Sequence, residues 1–186
     1  MTLIIICGPT ATGKSDLAVD LALAINGEII NADSMQLYRG MDIGTAKLSL
    51  DERRGVPHHL LDVLDVSQDA SVADYQVQAR QLISDIEVRN RVPIVVGGTG
   101  LYIKAIVDEM NFPETDPEIR ARLESEGETF GAAELYQRLH AIDPVAAEKI
   151  EPTNIRRIIR ALEVIEITGQ PYSANLPADE SSLYPD

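Results

Sequence analysis

Cysteine is almost absent from this chain. Cys7 is the only one in 186 residues, which excludes a disulfide framework within one chain and suits a reducing compartment, here read as the cytoplasm. Long apolar runs are missing too. Leu3 to Cys7 is too short for a signal-peptide core and leads straight into a glycine loop, and no stretch approaches the roughly 20 apolar residues of a membrane span, so no membrane attachment is expected. Positive charge is scarce: 16 Lys+Arg stand against 30 Asp+Glu, a formal net charge of −14. That balance excludes coating of nucleic acid or anionic membrane by bulk charge, which needs a basic surface. Any nucleic-acid contact must come from a few placed groups. Internal repeats and low-complexity tracts are absent as well. What the chain does have is 45% hydrophobic residues, enough at this size to bury about 70% of the unfolded surface and to exclude global disorder.

Residues 1–112 alternate short apolar runs with longer amphipathic ones, the pattern of β-α-β units. Leu3 to Cys7 is a β-rich run closed by Gly8-Pro9. A helix over Gly13 to Ile25 follows, with Leu17, Ala18, Leu21, Ala24 and Ile25 on one face and Asn26-Gly27 as its left-handed stop. Glu28 to Ala32 reads as a second strand ending at Asp33-Ser34. A helix over Asp74 to Val88 carries Tyr75, Ala79, Leu82, Ile83 and Ile86 at helical spacing, and Pro93 to Val96 is an apolar strand ending in Gly97-Gly98-Thr99-Gly100. Apolar strands separated by helices predict an α/β fold with a parallel sheet covered on both faces.

From Pro113 the character changes. Asp116-Pro117, Asp143-Pro144 and Asn154 each place an N-cap residue before a periodic run. Residues 113–170 are therefore expected to form a helical insertion, and 171–186, with three prolines and no helical period, a return segment. The last helix sets Ile155, Ile158, Ile159, Leu162 and Ile165 on one side, and Thr168-Gly169 stops it. Residues 1–107 carry 9 basic and 13 acidic side chains, residues 108–186 carry 7 and 17. The cluster Arg156, Arg157 and Arg160 thus lies in the more acidic half. It is either a selective contact spot or a solvated face paired with Glu163 and Glu166.

Gly8-Pro9-Thr10-Ala11-Thr12-Gly13-Lys14-Ser15 satisfies the full phosphate-loop pattern, between a strand and a helix. The glycines allow the turn that points amides at an anion, and the helix start adds its positive dipole end. Lys14 would bridge phosphate oxygens and Ser15 would ligate Mg²⁺, a hard cation that shares oxygen ligands with a polyphosphate. Most such loops bind nucleoside triphosphates, with a carboxylate at the end of a second strand; Pro93 to Val96 ends in glycines instead. Asp33 is the best-placed acid, because ligands of open α/β sheets lie beyond the carboxyl ends of the strands. Helix capping, indirect support of Mg²⁺ and general-base work are all open to it.

Five segments then fall in order: the phosphate loop, Asn31-Ala-Asp-Ser-Met-Gln-Leu-Tyr-Arg-Gly-Met-Asp-Ile-Gly-Thr-Ala-Lys47, Pro57-His-His-Leu-Leu-Asp62, Gly97-Gly-Thr-Gly-Leu-Tyr-Ile-Lys104 and Arg157-Ile-Ile-Arg-Ala-Leu-Glu163. Together they resemble the tRNA dimethylallyltransferase (tRNA isopentenyltransferase) family over residues 3 to about 173, and the Asn31–Lys47 block is far more specific than the phosphate loop. The resemblance implies a P-loop NTPase-like core whose cargo is dimethylallyl diphosphate rather than ATP, a helical insert that grips the tRNA anticodon stem-loop, and prenylation of a flipped-out adenosine beside the anticodon. It implies that Gly8 to Ser15 hold the diphosphate with Mg²⁺ at Ser15, with Lys14 at the leaving group and Asp33 as general base. It places Thr10, Asp33, Ser34, Met35, Gln36, Thr99, Arg120 and the segment Arg156, Arg157, Ile158, Ile159 and Arg160 near the tRNA. His58 and His59 match a family motif without an assigned chemistry; a structural role outweighs a metal site because no partner ligands sit at metal spacing.

Ile155 and Arg156 stand where the family often has Pro and Gln, and Leu48 where Pro often follows Lys47. The family normally continues well beyond this length, so the chain is expected to be C-terminally truncated. A monomer is expected. Prenylation of free adenine nucleotides, an ATP-dependent small-molecule kinase and a binding-only remnant remain the competing readings.

Overall fold

The structure is a computed structural model and describes residues 2–175 and 183–184. It divides into two compact units, Met1–Asp108 with Ser182–Asp186, and Glu109–Ser181.

The first unit is built on β1 (Ile4–Cys7), α1 (Lys14–Ile25), β2 (Gly27–Asn31), β3 (His58–His59), α2 (Val72–Val88), β4 (Val92–Gly97) and α3 (Gly100–Val107). The strands form a sheet in the order β1-β4-β2-β3, and every pairing is parallel. This is the α/β architecture that the apolar strands predict. Ile30 and Val95 turn to one face and pack with Tyr75, Ala79, Ile83 and Ile86 of α2 and with Tyr102 and Ile106 of α3. Ile29, Ile94 and Val96 turn to the other face and pack with Ala18, Val19 and Ala22 of α1.

The α1 face differs from the one read off the sequence. Leu17 is 58% exposed, and the buried residues are Ala18, Val19 and Ala22. Small residues let this helix approach the sheet closely, and a Cβ added at Gly27 would come within 3.3 Å of the Ala22 Cα. Asn26 stops α1 in the left-handed region at φ 57, as the Asn-Gly pair predicts, while Gly27 already belongs to β2.

Gly97 marks the tightest approach in the sheet. A Cβ there would lie 2.2 Å from the Ala32 carbonyl oxygen, while the Ala32 amide donates to Val96 O at 2.7 Å and the Thr99 amide to Ala32 O at 3.3 Å. Backbone cannot give way as a side chain can. Gly97→Ala is therefore expected to cost at least ~1–3 kcal/mol, read as a lower urea midpoint; an unchanged midpoint would refute the packing.

The second unit contains α4 (Pro117–Phe130), α5 (Ala132–Ile142), α6 (Pro144–Glu148) and α7 (Ile155–Thr168). Asp116, Asp143 and Asn154 cap α4, α6 and α7 with their side chains, and Gly169 ends α7 in the left-handed region at φ 66. Leu123, Leu135, Leu139, Ile158 and Leu162 form its core. Much of the proposed return segment lies outside the described residues; within it, Tyr172–Asn175 form a 3₁₀ turn and Tyr184 packs on the core of the first unit.

Candidate functional site

Parallel strands align their carboxyl ends, so β1, β2 and β4 deliver the phosphate loop, Asp33 and the Gly97-Gly98 turn to one edge of the sheet. Gly13, at φ 76, and Ala11, at φ 64, both adopt left-handed backbone, which curls the loop before α1. No side chain caps the start of α1, so its first-turn amides remain available to an anion. Lys14 Nζ and Thr12 Oγ1 both donate to the Pro9 carbonyl, the second at 2.9 Å, which holds the lysine over the loop.

Asp33 is fixed from two sides. Asn31, 4% exposed, accepts the Asp33 amide at 3.0 Å and donates its own amide to the carbonyls of Asp33 and Leu60, both at 2.9 Å. Tyr75 Oη donates to the Asn31 carbonyl at 2.9 Å, and burial pushes that phenol's pKa up. Asp33 Oδ1 accepts the Met35 amide at 2.9 Å, starting the 3₁₀ turn Met35–Leu37. Asp33 thus closes a local turn with one of its two carboxylate oxygens and leaves the other open. The anchoring work of Asn31 escaped the sequence reading, since a buried polar side chain at a strand end leaves no periodic signal.

A cavity of about 510 Å³ opens over these groups. Thr10 to Ser15 line it with Asp33 and Gln36, and Thr45 to Leu48, His58 and Leu61 line it as well. Apolar lining comes from Ala18, Ile29 and Val96. Ser34, Met35 and Thr99 are not part of the lining; Ser34 N donates to Thr99 Oγ1 at 3.3 Å, which ties the ends of β2 and β4 beside the cavity.

His58 Nδ1–H donates to the Val56 carbonyl at 2.8 Å. Burial, with help from Arg53 and His59, holds its imidazole below the ordinary pKa, so it is neutral at pH 7. His59 Nε2 meets Glu28 Oε2 at 2.6 Å, and Arg89 reaches the same oxygen at 2.8 Å. Burial alone would raise the Glu28 pKa, but Arg89 and His59 outweigh it and hold the carboxyl below its usual value. Among the described residues no cluster of His, Cys, Asp or Glu is arranged to hold a metal ion.

The arginines of the second unit divide. Glu163 is fully buried and accepts from Arg120 at 2.7 Å and Arg160 at 2.8 Å. Arg160 also donates to the carbonyls of Pro113 and Glu114. Glu166 pairs instead with Arg122 and Arg138. The guanidinium groups of Arg156 and Arg157 lie on the exposed start of α7, outside every ion pair of the described residues. Ile158 and Ile159 are 0% and 6% exposed, and their side chains pack in the core of this unit.

A parallel sheet, a complete phosphate loop and a cavity at the strand ends define a phosphate-loop α/β protein. The IPP transferase family model matches residues 36–185. The tRNA dimethylallyltransferase of Thermobifida fusca is 61% identical over 189 residues, covering 99% of this chain and 59% of that relative, and that of Streptomyces griseus is 62% identical over 177 residues, covering 95% and 57%. The chain belongs to the IPP transferase family. Among solved structures, full-length tRNA isopentenylpyrophosphate transferase from Bacillus halodurans is 50% identical with a TM-score of 0.60, over 92% of this chain and 57% of that one. A eukaryotic dimethylallyltransferase acting on tRNA is 35% identical with a TM-score of 0.79, over 92% and 43%. The chain thus spans a little over half the length of the curated relatives it matches. No helix among the described residues is long and apolar enough to cross a membrane.

Proposed function

We propose that the full-length protein transfers the dimethylallyl group of dimethylallyl diphosphate to the exocyclic amine of the tRNA adenosine 3′ of the anticodon, releasing diphosphate. The observation that carries this reading is one cavity lined by both Thr10 to Ser15 of the phosphate loop and Asp33, in a chain of this family. The amine lone pair attacks the allylic carbon, the carbon–oxygen bond breaks with its electrons leaving on diphosphate, and the amine proton passes to Asp33. Loop amides and Lys14 take up the charge that develops on the leaving group. The base leaves its stack to present its edge, with Gln36 on the cavity wall and Thr10, Ser34, Met35 and Thr99 beside it.

Ser15 would hold Mg²⁺ together with diphosphate oxygens. One hydroxyl without a carboxylate cluster suits a cation that keeps water and shares phosphate ligands, and when bound it supplies charge neutralisation at the leaving diphosphate. Work as a monomer in the cytoplasm completes the proposal.

A kinase reading is less well supported, since β4 ends in Gly97-Gly98 with no carboxylate for the metal of a triphosphate. Prenylation of free adenine nucleotides leaves the helical unit and its open Arg156 and Arg157 without work. Incubation of the full-length protein with labelled dimethylallyl diphosphate, unmodified tRNA, AMP and ATP in parallel decides among them: label is expected in tRNA alone. Label in AMP but not tRNA, or ATP turnover without prenyl transfer, would overturn the proposal.

Arg157→Ala is expected to weaken tRNA binding and to reduce the slope of log K against log salt by about 1, as loss of one phosphate contact does. A salt titration with an unchanged slope would return this arginine to a merely solvated face.

A further inference from the structure

Lys47 ends the Asn31–Lys47 block, and its side chain is 2% exposed. Its ammonium donates to Tyr38 O at 2.8 Å, to Asp62 Oδ1 at 2.6 Å and to Asp42 Oδ1 at 3.0 Å. Three acceptors match the three N–H groups of a lysine, so the charge is buried fully satisfied. Burial alone would lower its pKa, but Asp62 and Asp42 hold it above the ordinary value.

These partners lie on two separate segments. Tyr38 and Asp42 belong to the loop that leads to Lys47, whereas Asp62 follows β3 on a segment fixed to the strand ends. There, Asn31 donates to Leu60 O at 2.9 Å, Leu64 N donates to Leu37 O at 2.9 Å, and Asp62 N donates to Gln36 O at 3.3 Å. Gln36 sits where the two segments meet. Its main-chain carbonyl is taken by Asp62, and its side-chain Nε2 donates to Thr45 O at 2.9 Å, two residues before Lys47. That bond sets the amide orientation and leaves Oε1 as an acceptor on a residue that lines the cavity with Asp33.

We propose that Lys47 is a positioning residue for the acceptor side of the site: by clamping the Tyr38–Lys47 loop to Asp62 it locks the Gln36 amide, so that Oε1 receives an N–H of the incoming base. This rests on the prenyl-transfer reading above. The exocyclic amine carries two hydrogens; Asp33 removes one, and an oriented amide oxygen holds the other. Lys47 lines the same cavity, but its ammonium is already engaged by Tyr38, Asp62 and Asp42, so it works through Gln36 and Asp62 rather than by donating to a substrate.

The test uses full-length Lys47→Met, which keeps the length of the side chain and removes its charge, with Lys47→Arg and Asp62→Asn beside it. Lys47→Met is expected to raise KM for tRNA about tenfold, the scale of one lost hydrogen bond, while calorimetric affinity for dimethylallyl diphosphate stays within about twofold of wild type. Lys47→Arg should recover part of the loss, and Asp62→Asn should shift KM in the same direction by less. A wild-type KM in Lys47→Met, or an equal loss of diphosphate affinity, would overturn the proposal. Should Lys47→Met fail to fold, a wild-type KM in Asp62→Asn overturns it equally. The wild-type control separates the two levels: no transfer to tRNA by wild type overturns the underlying reading and this inference together, whereas normal wild-type transfer with unmoved variants overturns this inference alone.

Discussion

Asp33→Asn in the full-length protein is expected to lower the rate of prenyl transfer about 10²–10⁴-fold, the usual worth of general-base catalysis, while tRNA affinity stays close to wild type. The substitution isolates charge from structure. Asp33 Oδ1 accepts the Met35 amide at 2.9 Å, and the amide oxygen of Asn can accept the same bond, so the turn into Met35–Leu37 survives. What Asn cannot do is take a proton. Asp33→Ala would remove both functions at once, because it also takes away the acceptor of the Met35 amide, a hydrogen bond worth about 0.5–1.5 kcal/mol. Single-turnover transfer with saturating tRNA and dimethylallyl diphosphate measures the step directly. A near-wild-type rate in Asp33→Asn would leave Asp33 as a turn-forming residue and send the proton elsewhere in the cavity.

How far the site was legible in the sequence follows from the kind of signal each part leaves. The phosphate loop and the strand leading to Asp33 are local patterns, since apolar β runs and glycines are set by short-range sterics. Caps at Asp116, Asp143 and Asn154 are legible for the same reason: each is one side chain bonding an amide two or three residues on. Three elements leave no such trace. β3 is only His58–His59 and exists because it pairs with Ile29 and Ile30. Neither α3 nor α5 has a side-chain cap, and each begins at or directly after a glycine. Also lining the cavity, Thr45, Lys47 and Leu61 come from non-periodic loops joined by hydrogen bonds such as that of Lys47 to Asp62. Sequence spacing cannot place such residues, although the Asn31–Lys47 and Pro57–Asp62 segments drew attention to them by resemblance. On α1 the apolar spacing places Ala18 correctly but takes the exposed Leu17 and Ala24 for the buried Val19 and Ala22, a rotation of the face that close helix–sheet packing at Ala18 and Ala22 sets.

Glu163→Ala is expected to destabilise the helical unit by about 3 kcal/mol, the lower end of the range for breaking a buried ion pair. Glu163 Oε1 accepts the Asp116 amide at 3.1 Å, and Oε2 accepts from Arg120 and Arg160, so one carboxylate of α7 holds the cap of α4 and two guanidinium groups. The side chains of Arg120 and Arg160 are 41% and 25% exposed and recover water when their partner is lost, which keeps the cost from the upper end. The pH dependence has a definite sign. Burial alone would raise the Glu163 pKa, but hydrogen bonds from Arg120 and Arg160 outweigh it and hold the carboxyl below its ordinary 4.5. Its stabilisation is therefore fully present above pH 4.5 and is lost as pH falls through the lower folded value. Hydrogen exchange of the α4 and α7 amides, followed from neutral pH down to about pH 3, should show wild type and Glu163→Ala converging on acidification; a gap that ignores pH would refute the ion-pair account. Because the open Arg156 and Arg157 sit on the helix that Glu163 anchors, the same substitution should also weaken tRNA binding without removing a positive charge. Its salt slope should stay near wild type, unlike that of Arg157→Ala, and that contrast separates a group that holds the binding helix from one that meets the phosphates.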